Sequence, residues 1–442
     1  MTAIGIDIGT TSICAVAVDP ESGELQKSIT LANPGVTQTT GIQDPEKIVS
    51  LCTELADRII DEFGRVLCIG ITGQMHGIIY LDKNGNAVSP LYTWQFSGAN
   101  ELCGNGQTYT QKLSELTGFR MSAGFGLSTL FLHTEKSCVP EGAVSCCTVH
   151  DYFAMKLCSR TSPIMHTSDA ASFGLFSTDT MSFDREAVRK AGLSENILPD
   201  VSAGLEVIGE HRGIPVCIAI GDNQASFIGS VCDMKSCVLV NIGTGSQVSF
   251  ATSDKNFIAG TELRPCCGSV MLRVGSALCG GMAFSALERF LRSCAELVTG
   301  QEISSAYPSI DRYLEKPEPE NPLKVSTLFE GTRDDPSLRG SVCGIGLDNF
   351  TPGHLIWGTL HSIADELYDM YTAAGEKKSI LVGSGNGLRK NPALQGIFEQ
   401  TFGMKLLTPQ HKEEAAFGAA LCGLCACGRF DSIEKAQKLI RY

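Results

Sequence analysis

One short element occurs twice in this chain, and its return constrains the fold more than any other feature. The opening AIGIDIGTTSICAVAVD is an apolar run, a turn of Gly, Thr and Ser, then a second apolar run ending at Asp19. CVLVNIGTGSQVSFATS has the same layout much later. Each reads as two strands joined by a small-residue hairpin turn. Aligning Asp7-Ile8-Gly9-Thr10-Thr11-Ser12 with Asn241-Ile242-Gly243-Thr244-Gly245-Ser246 gives an offset of 241 − 7 = 234 residues, slightly over half of the 442. A β-turn-β unit returning at that distance predicts two halves of related architecture. The expected domains are 1–233 and 234–442, each long enough for its own core.

Composition narrows the class. Hydrophobic residues are 43%, charged residues 19%, and there are 47 glycines, which predicts a soluble, Gly-rich α/β protein. The net charge of −13 argues against a nucleic-acid or anionic-membrane partner. Phosphate ligands stay open, because backbone amides bind them without any Lys. MTAIGIDIG has no basic segment leading into a long apolar one, and the apolar stretches near 274–286 and 415–427 are too short and Gly-rich to span a bilayer. The expected location is the cytoplasm, where the 19 cysteines stay reduced. CGLCAC (422–427) has no second Cys or His pair at zinc-ligand spacing and reads as packing thiols on a helix. Cys146–Cys147 and Cys266–Cys267 read as core or surface thiols.

Between the hairpins, 45–63 has helical spacing, 66–82 reads as two strands around a polar turn, and 150–158 reads as helix. Residues 214–232 read as strand, turn and helix, and 280–298 as a helix entered through Gly280 and Gly281. The polar, Pro-rich 304–325 stretch reads as a surface excursion. A long amphipathic helix is expected at 354–371, then strand, Gly-rich turn and helix over 379–402, and a last helix from near Glu413.

Several residue groups suggest chemistry. Gly9 and Gly243 allow close approach of a ligand to the turn amides, and Thr10, Thr11, Ser12, Thr244 and Ser246 add hydroxyls. A single copy would read as an ordinary hairpin; two matching copies favour phosphate binding. Asp7 ends its strand beside the turn, where a carboxylate can hold Mg²⁺ through water. The third glycine turn, Gly383-Ser384-Gly385-Asn386-Gly387, suits a nucleotide but matches neither GxGxxG nor a Walker loop. Asp222, within GDNQAS, has two readings: a helix N-cap, or a general base taking a hydroxyl proton during phosphoryl transfer. Position in sequence does not separate them. Gln74, Met75 and His76, in GITGQMHG, suit a polyhydroxylated ligand. Trp94 is a stacking platform for a sugar or a core residue, and HTSDAAS (166–172) a loop or cleft wall.

These motifs, in this order, resemble the FGGY carbohydrate kinases, most closely their sedoheptulokinase branch. GIDIGTTS, GITGQMHG, HDY, SDAASFG, GDNQAS, NIGTGS, FEGTRDDPSLRG, GSGNGLRKNPAL and EEAAFGAAL fall at comparable intervals over nearly the whole chain. GFGLSTLFL (124–132) and VHDYFAMKL (149–157) carry the likeness to the branch. The resemblance implies an α/β fold of two ribonuclease-H-like domains (the actin, sugar kinase and Hsp70 superfamily), with ATP and sugar in the cleft between them. The first domain would then bind sugar and carry the base, and the second would bind nucleotide. It implies that Asp222 is the catalytic base and Asp7 the metal-associated acid. The two hairpin turns, with Gly280 and Gly281, would be cofactor-binding, and Gly383, Ser384, Gly385 and Asn391 would lie by adenosine. Gln74, Met75, His76, Trp94 and Asn223, with Asp222, would contact the sugar.

One departure bears on the substrate. After Trp-Gln the family commonly has an acidic residue and then Arg; here the run is Trp94-Gln95-Phe96-Ser97-Gly98-Ala99. The turn with Gly243 and Gly245 is also more like general sugar kinases than sedoheptulokinases. The expected function is ATP- and Mg²⁺-dependent phosphorylation of a terminal hydroxyl of a ketose such as sedoheptulose, xylulose or ribulose. The alternative is a sugar or nucleotide sensor on the same fold that transfers no phosphate. A homodimer is compatible with the resemblance.

Overall fold

The computed structural model describes residues 1–442 except 105, 333, 334 and 336. Arg333, Asp334 and Pro336 of the FEGTRDDPSLRG motif therefore lie outside the described residues. The chain packs as two units. The first comprises Met1–Cys232, Arg264–Met271 and Glu413–Arg441; the second comprises Asp233–Leu263 and Leu272–Lys412, with Tyr442.

In the first unit, Thr2–Ile8 pairs antiparallel with Ser12–Val18, closing the first hairpin, and parallel with Val66–Gly73, which sets Asp7 opposite Thr72. Leu25–Ala32 extends the sheet on one side, and Ile214–Cys217 and Val207–His211 on the other. Both hairpin strands are buried almost throughout, which explains their continuous apolar character. Leu25–Ala32 alternates half-buried and exposed positions, as a solvated edge strand does. The Pro45–Phe63 helix forms where it was expected. Asp44 caps it by accepting from the Glu46 and Lys47 amides, Pro45 occupies its first turn, and Ile48, Cys52, Leu55, Ala56, Ile59 and Ile60 form the buried face.

The Glu414–Ala426 helix is apolar on nearly every side, the mark of a helix enclosed by other elements. Its enclosure depends on glycines. A Cβ on Gly5 would lie 1.8 Å from the Ala416 carbonyl oxygen, and one on Gly70 1.8 Å from that of Ala419. Against the Asp222–Ser230 helix, a Cβ on Gly418 would lie 1.9 Å from the Ala225 oxygen, and one on Gly229 2.1 Å from that of Glu414. Backbone packs on backbone at both contacts, so no larger residue fits.

The second unit repeats the plan. Cys237–Ile242 pairs antiparallel with Ser246–Thr252 and parallel with Ile380–Ser384, which sets Asn241 opposite Ser384. Asn241 thus holds the place that Asp7 holds in the first sheet, and Ser384 that of Thr72. The core joins Val238, Val240 and Phe250 to Trp357, Leu360 and Ile363 of the Pro352–Thr372 helix and to Ile397 and Phe398 of Pro392–Phe402.

Two expectations change. The 304–325 stretch is more than a surface excursion: it contains the helix Tyr307–Leu314, started by Pro308 and anchored by buried Ile310, with Tyr313 and Leu314 packed beside it. Residues 166–172 form no loop; Thr167–Phe173 is a short, buried helix. Among the described residues no helix is long and apolar enough to cross a membrane.

Candidate active site

In the first unit, the turn after the strand Thr2–Ile8 is tied down by polar side chains. Asn33 Nδ2 donates to the Gly9 carbonyl at 2.9 Å, and Gln43 Nε2 to that of Thr10 at 2.9 Å. Thr10 Oγ1 donates to Gln74 Oε1 at 3.2 Å and accepts from the Trp94 indole N–H at 2.9 Å. Gln74 Nε2 closes the network on Gln43 Oε1 at 2.9 Å. Thr10, Gln74 and Trp94, 84 positions apart at their widest, therefore meet. Trp94 keeps 48% of its surface exposed, so the indole is anchored by its N–H with its ring open to solvent. The core reading of Trp94 is thereby excluded. Thr11 is exposed at the tip of the turn, and Ser12 opens the returning strand.

His76 sits at φ 78°, a backbone conformation that favours glycine. Its ring stacks on Phe125 with centroids 4.8 Å apart, and Nδ1 lies 2.8 Å from the Ser172 carbonyl oxygen. Met75 is buried, and a Cβ on Gly221 would lie 2.8 Å from its sulfur. Met75 therefore packs where the short strand Ile220–Gly221 hands over to the helix Asp222–Ser230.

Asp222 is the first residue of that helix, and the N-cap is Gly221, with no side chain capping it. The N-cap reading of Asp222 is thus replaced: Gly221 holds the capping position, and Asp222 stands one residue inside it. Burial raises its pKa to about 6, with the His150 charge, the Asn223 backbone N–H and Arg264 pulling the other way. Asp7 is raised further, to about 8, by burial and then by the negative charges of Asp222 and Glu413. Asp7 Oδ1 is buried without a hydrogen-bond partner among the described residues. Asp7, with an unpartnered buried oxygen and the charges of Asp222 and Glu413 acting on it, offers carboxylate donors of the kind that suit a hard divalent cation.

A group without an assigned role in the sequence stands beside Asp222. His150 Nε2 and Asp169 Oδ1 make a fully buried ion pair at 2.9 Å. Burial acts to lower the His150 pKa, but Asp169, then Asp151 and Asp222, overcome it and raise it to about 9, so the imidazole is a cation. Asp151 accepts from Thr148 Oγ1 at 2.7 Å. The helix Thr167–Phe173 links this group to the rest. Ser168 Oγ accepts from the Gly221 amide at 3.1 Å, one residue before Asp222, and Ser172 Oγ accepts from the His76 amide at 3.3 Å. HDY and SDAASFG marked these residues in the sequence, but their pairing joins two elements and cannot be read from spacing.

In the second unit, the glycine turns come together. The Gly281 amide donates to the Gly243 carbonyl and the Met282 amide to that of Thr244, both at 2.9 Å. A Cβ on Gly280 would lie 2.5 Å from the Gly245 oxygen, and one on Gly281 2.4 Å from that of Gly243. The start of the Gly281–Thr299 helix is therefore laid directly on the hairpin turn. Gly243 and Thr244 are exposed, and Ser246 is buried. Gly385, at φ 84°, would drive a Cβ to 2.4 Å from the Ile242 oxygen. Ser384 Oγ accepts from Asn241 Nδ2 at 2.8 Å. Gly383 faces Leu388 and Leu406 inside its strand end, and Asn391 caps the Pro392–Phe402 helix through Leu394 N at 3.0 Å. These two residues thus have packing and capping contacts of their own.

Residues 2–229 match the N-terminal domain, and residues 239–427 the C-terminal domain, of the FGGY family of carbohydrate kinases. The chain belongs to that family, and is a phosphotransferase with an alcohol group as acceptor. It is 26% identical to the sedoheptulokinase of Mus musculus, covering 95% of this chain and 96% of that protein. A gluconate kinase structure from Lactobacillus acidophilus matches with a TM-score of 0.86 at 18% identity, covering 100% of this chain and 92% of the other. A Plasmodium falciparum glycerol kinase structure with ADP matches at 0.82 and 17% identity, covering 99% and 92%. The two mixed sheets agree with the ribonuclease-H-like pair that the resemblance implied.

Proposed function

We propose that the chain transfers the terminal phosphoryl group of ATP to a terminal hydroxyl of a ketose such as sedoheptulose, or of a related xylulose- or ribulose-like sugar. The observation that carries this reading is Asp222: a half-buried carboxylate at a strand–helix junction, one residue inside the cap, with a pKa of about 6. A base so placed is ionised at neutral pH and still basic enough to accept a hydroxyl proton. The likeness to a sedoheptulokinase over nearly the full length supports the sugar class, and the ADP-bound relative supports the nucleotide.

In this reading Asp222 orients and deprotonates the sugar hydroxyl. Gln74 and Asn223 hydrogen-bond the sugar, and His76, Met75 and the open face of Trp94 shape its site. The amides and hydroxyls of Gly9, Thr10, Thr11 and Ser12, and of Gly243, Thr244, Gly245 and Ser246, hold phosphate oxygens, with Gly280 and Gly281 bracing the second turn. Gly383, Ser384, Gly385 and Asn391 belong to the adenosine region. Asp7 is the acid that fits Mg²⁺, since its free buried oxygen and carboxylate neighbours favour a cation; Mg²⁺ when bound supplies charge neutralisation on the transferred group. The matching position in the second unit is Asn241, which carries no charge.

The run after Trp94 gives the sugar end its own character. Phe96 packs on Tyr92 with centroids 4.9 Å apart, a Cβ on Gly98 would lie 2.6 Å from the Phe96 ring, and Ala99 is fully buried. Apolar packing fills a segment that is polar in the wider family, so fewer hydroxyls are hydrogen-bonded there. ADP release measured across a panel of ketoses and polyols tests the reading. Sugar-stimulated release is expected with one or more ketoses, and Asp222→Asn should reduce it at least about 10³-fold while leaving nucleotide affinity within a few-fold. Sugar binding without ADP release, or turnover retained in the variant, would reject the reading.

A further inference from the structure

The turn of the first hairpin is braced so that the part of Thr10 left to move is the proton of its hydroxyl. Asn33 Nδ2 and Gln43 Nε2 hold the Gly9 and Thr10 carbonyls, each at 2.9 Å, and the Asn33 amide donates to the Thr11 carbonyl at 2.9 Å. Trp94 is held from its own side. The Thr93 amide donates to the Gly41 carbonyl at 2.8 Å, and a Cβ on Gly124 would lie 2.0 Å from the Trp94 carbonyl oxygen. The indole N–H therefore reaches Thr10 Oγ1, 2.9 Å away, from a backbone that is fixed on both sides.

A hydroxyl has one proton and two lone pairs. On Thr10 the proton goes to Gln74 Oε1 at 3.2 Å, and one lone pair receives the indole N–H. Gln74 is buried, and Thr10 is the one donor to its Oε1 among the described residues. The Gln74 side chain is not free to seek another. Its Nε2 donates to Gln43 Oε1 at 2.9 Å, and its backbone amide to the Ile8 carbonyl at 2.9 Å. The single Thr10 proton is therefore committed to a buried acceptor. An ionised phosphate oxygen only accepts, so at this hydroxyl it competes for that same proton.

We propose that the Thr10 hydroxyl is a positioning group whose proton has two positions, and that it couples the phosphate turn to the sugar site through Gln74. The proposal rests on the kinase reading, in which Thr10 faces phosphate and Gln74 faces sugar. Without phosphate, Thr10 donates to Gln74. When a phosphate oxygen reaches the turn, the hydroxyl rotates about its Cβ–Oγ1 bond and donates to that oxygen, while Oγ1 keeps the indole N–H. Gln74 Oε1 is then buried without a donor, which is costly. A sugar hydroxyl that donates to Gln74 Oε1 removes this cost. Each ligand thus makes the other bind more tightly, and by linkage the gain is the same in both directions.

Calorimetric titration of the intact protein with Mg²⁺ and AMP-PNP, a non-hydrolysable ATP analogue, tests the coupling first without sugar. Gln74→Met removes the buried acceptor, so the nucleotide should bind about fivefold more tightly than to wild type, the low end of what an orphaned acceptor costs. A Gln74 that merely supports the turn predicts the opposite sign. The second arm adds sedoheptulose, D-xylulose or D-ribulose. Saturating AMP-PNP should tighten the binding of a ketose to wild type by about fivefold. Thr10→Ser, which keeps the hydroxyl, should keep that gain, and Thr10→Val should lose it. Unchanged or weaker nucleotide binding by folded Gln74→Met, or a ketose affinity in wild type indifferent to AMP-PNP, would overturn the proposal. Failure of every ketose to bind would instead reject the sugar reading, and the sugar-free arm would still decide whether Gln74 competes for the Thr10 proton.

Discussion

His150 and Asp169 make the residue-scale case that a site is set by groups that need not touch its ligand. Both are fully buried, and an isolated charge there would be costly; together they form a pair whose cation lowers the Asp222 pKa while its anion raises it. Because Asp222 must be ionised to accept a proton, kcat/KM should fall as pH drops through about 6, the value set chiefly by burial. Removing the cation with His150→Gln deletes the attraction that lowers Asp222 while the Asp169 charge that raises it stays, so Asp222 moves upward. The acidic limb should therefore move to higher pH by up to about one unit, and His150→Lys, which restores the charge, should bring it back. A limb unmoved in His150→Gln, measured on folded enzyme, would remove the pair from the site's electrostatics.

At the scale of elements, glycines let the Glu414–Ala426 helix pack backbone against backbone, while its apolar side chains are buried around it. Gly418→Val would force a branched side chain against the Ala225 carbonyl and should destabilise the protein by roughly 1–3 kcal/mol or more, lowering Tm by several degrees. Gly396, inside the Pro392–Phe402 helix, has open space where a Cβ would go, so Gly396→Ala should raise stability by about 0.5–1 kcal/mol. Opposite signs for two helical glycines in one thermal melt would support the packing account; equal signs would not. These elements also show how far the sequence could be read. The hairpins were legible because apolar runs and turn residues are local signals. The 414–426 helix was legible as a helix, but an all-apolar pattern says that a helix is enclosed without saying by what. The Thr167–Phe173 helix was missed because its burial rests on Ser168 and Ser172 hydrogen bonds, which leave no apolar periodicity. Asp222 was seen to be important, yet only the backbone shows that Gly221 takes the capping position.

For the whole molecule, chain order and packing order differ. Residues 1–232 contain most of the first unit but lack the helix that covers Gly5 and Gly70. That fragment expressed alone should show no cooperative thermal transition, and joining 413–441 to it through a flexible linker should restore one. A native-like transition in 1–232 alone would contradict the packing described here.

Apart from the terminal residue, the backbone passes between the units at 232/233, 263/264, 271/272 and 412/413. Four covalent crossings make the protein resistant to division by a protease. After a single cut at any one of them, every piece of each unit is still joined to the other by an uncut strand or held within its own core. Nicked protein would run as two bands in denaturant and as one particle without it, so proteolytic clipping of this kinase would be a poor guide to its loss.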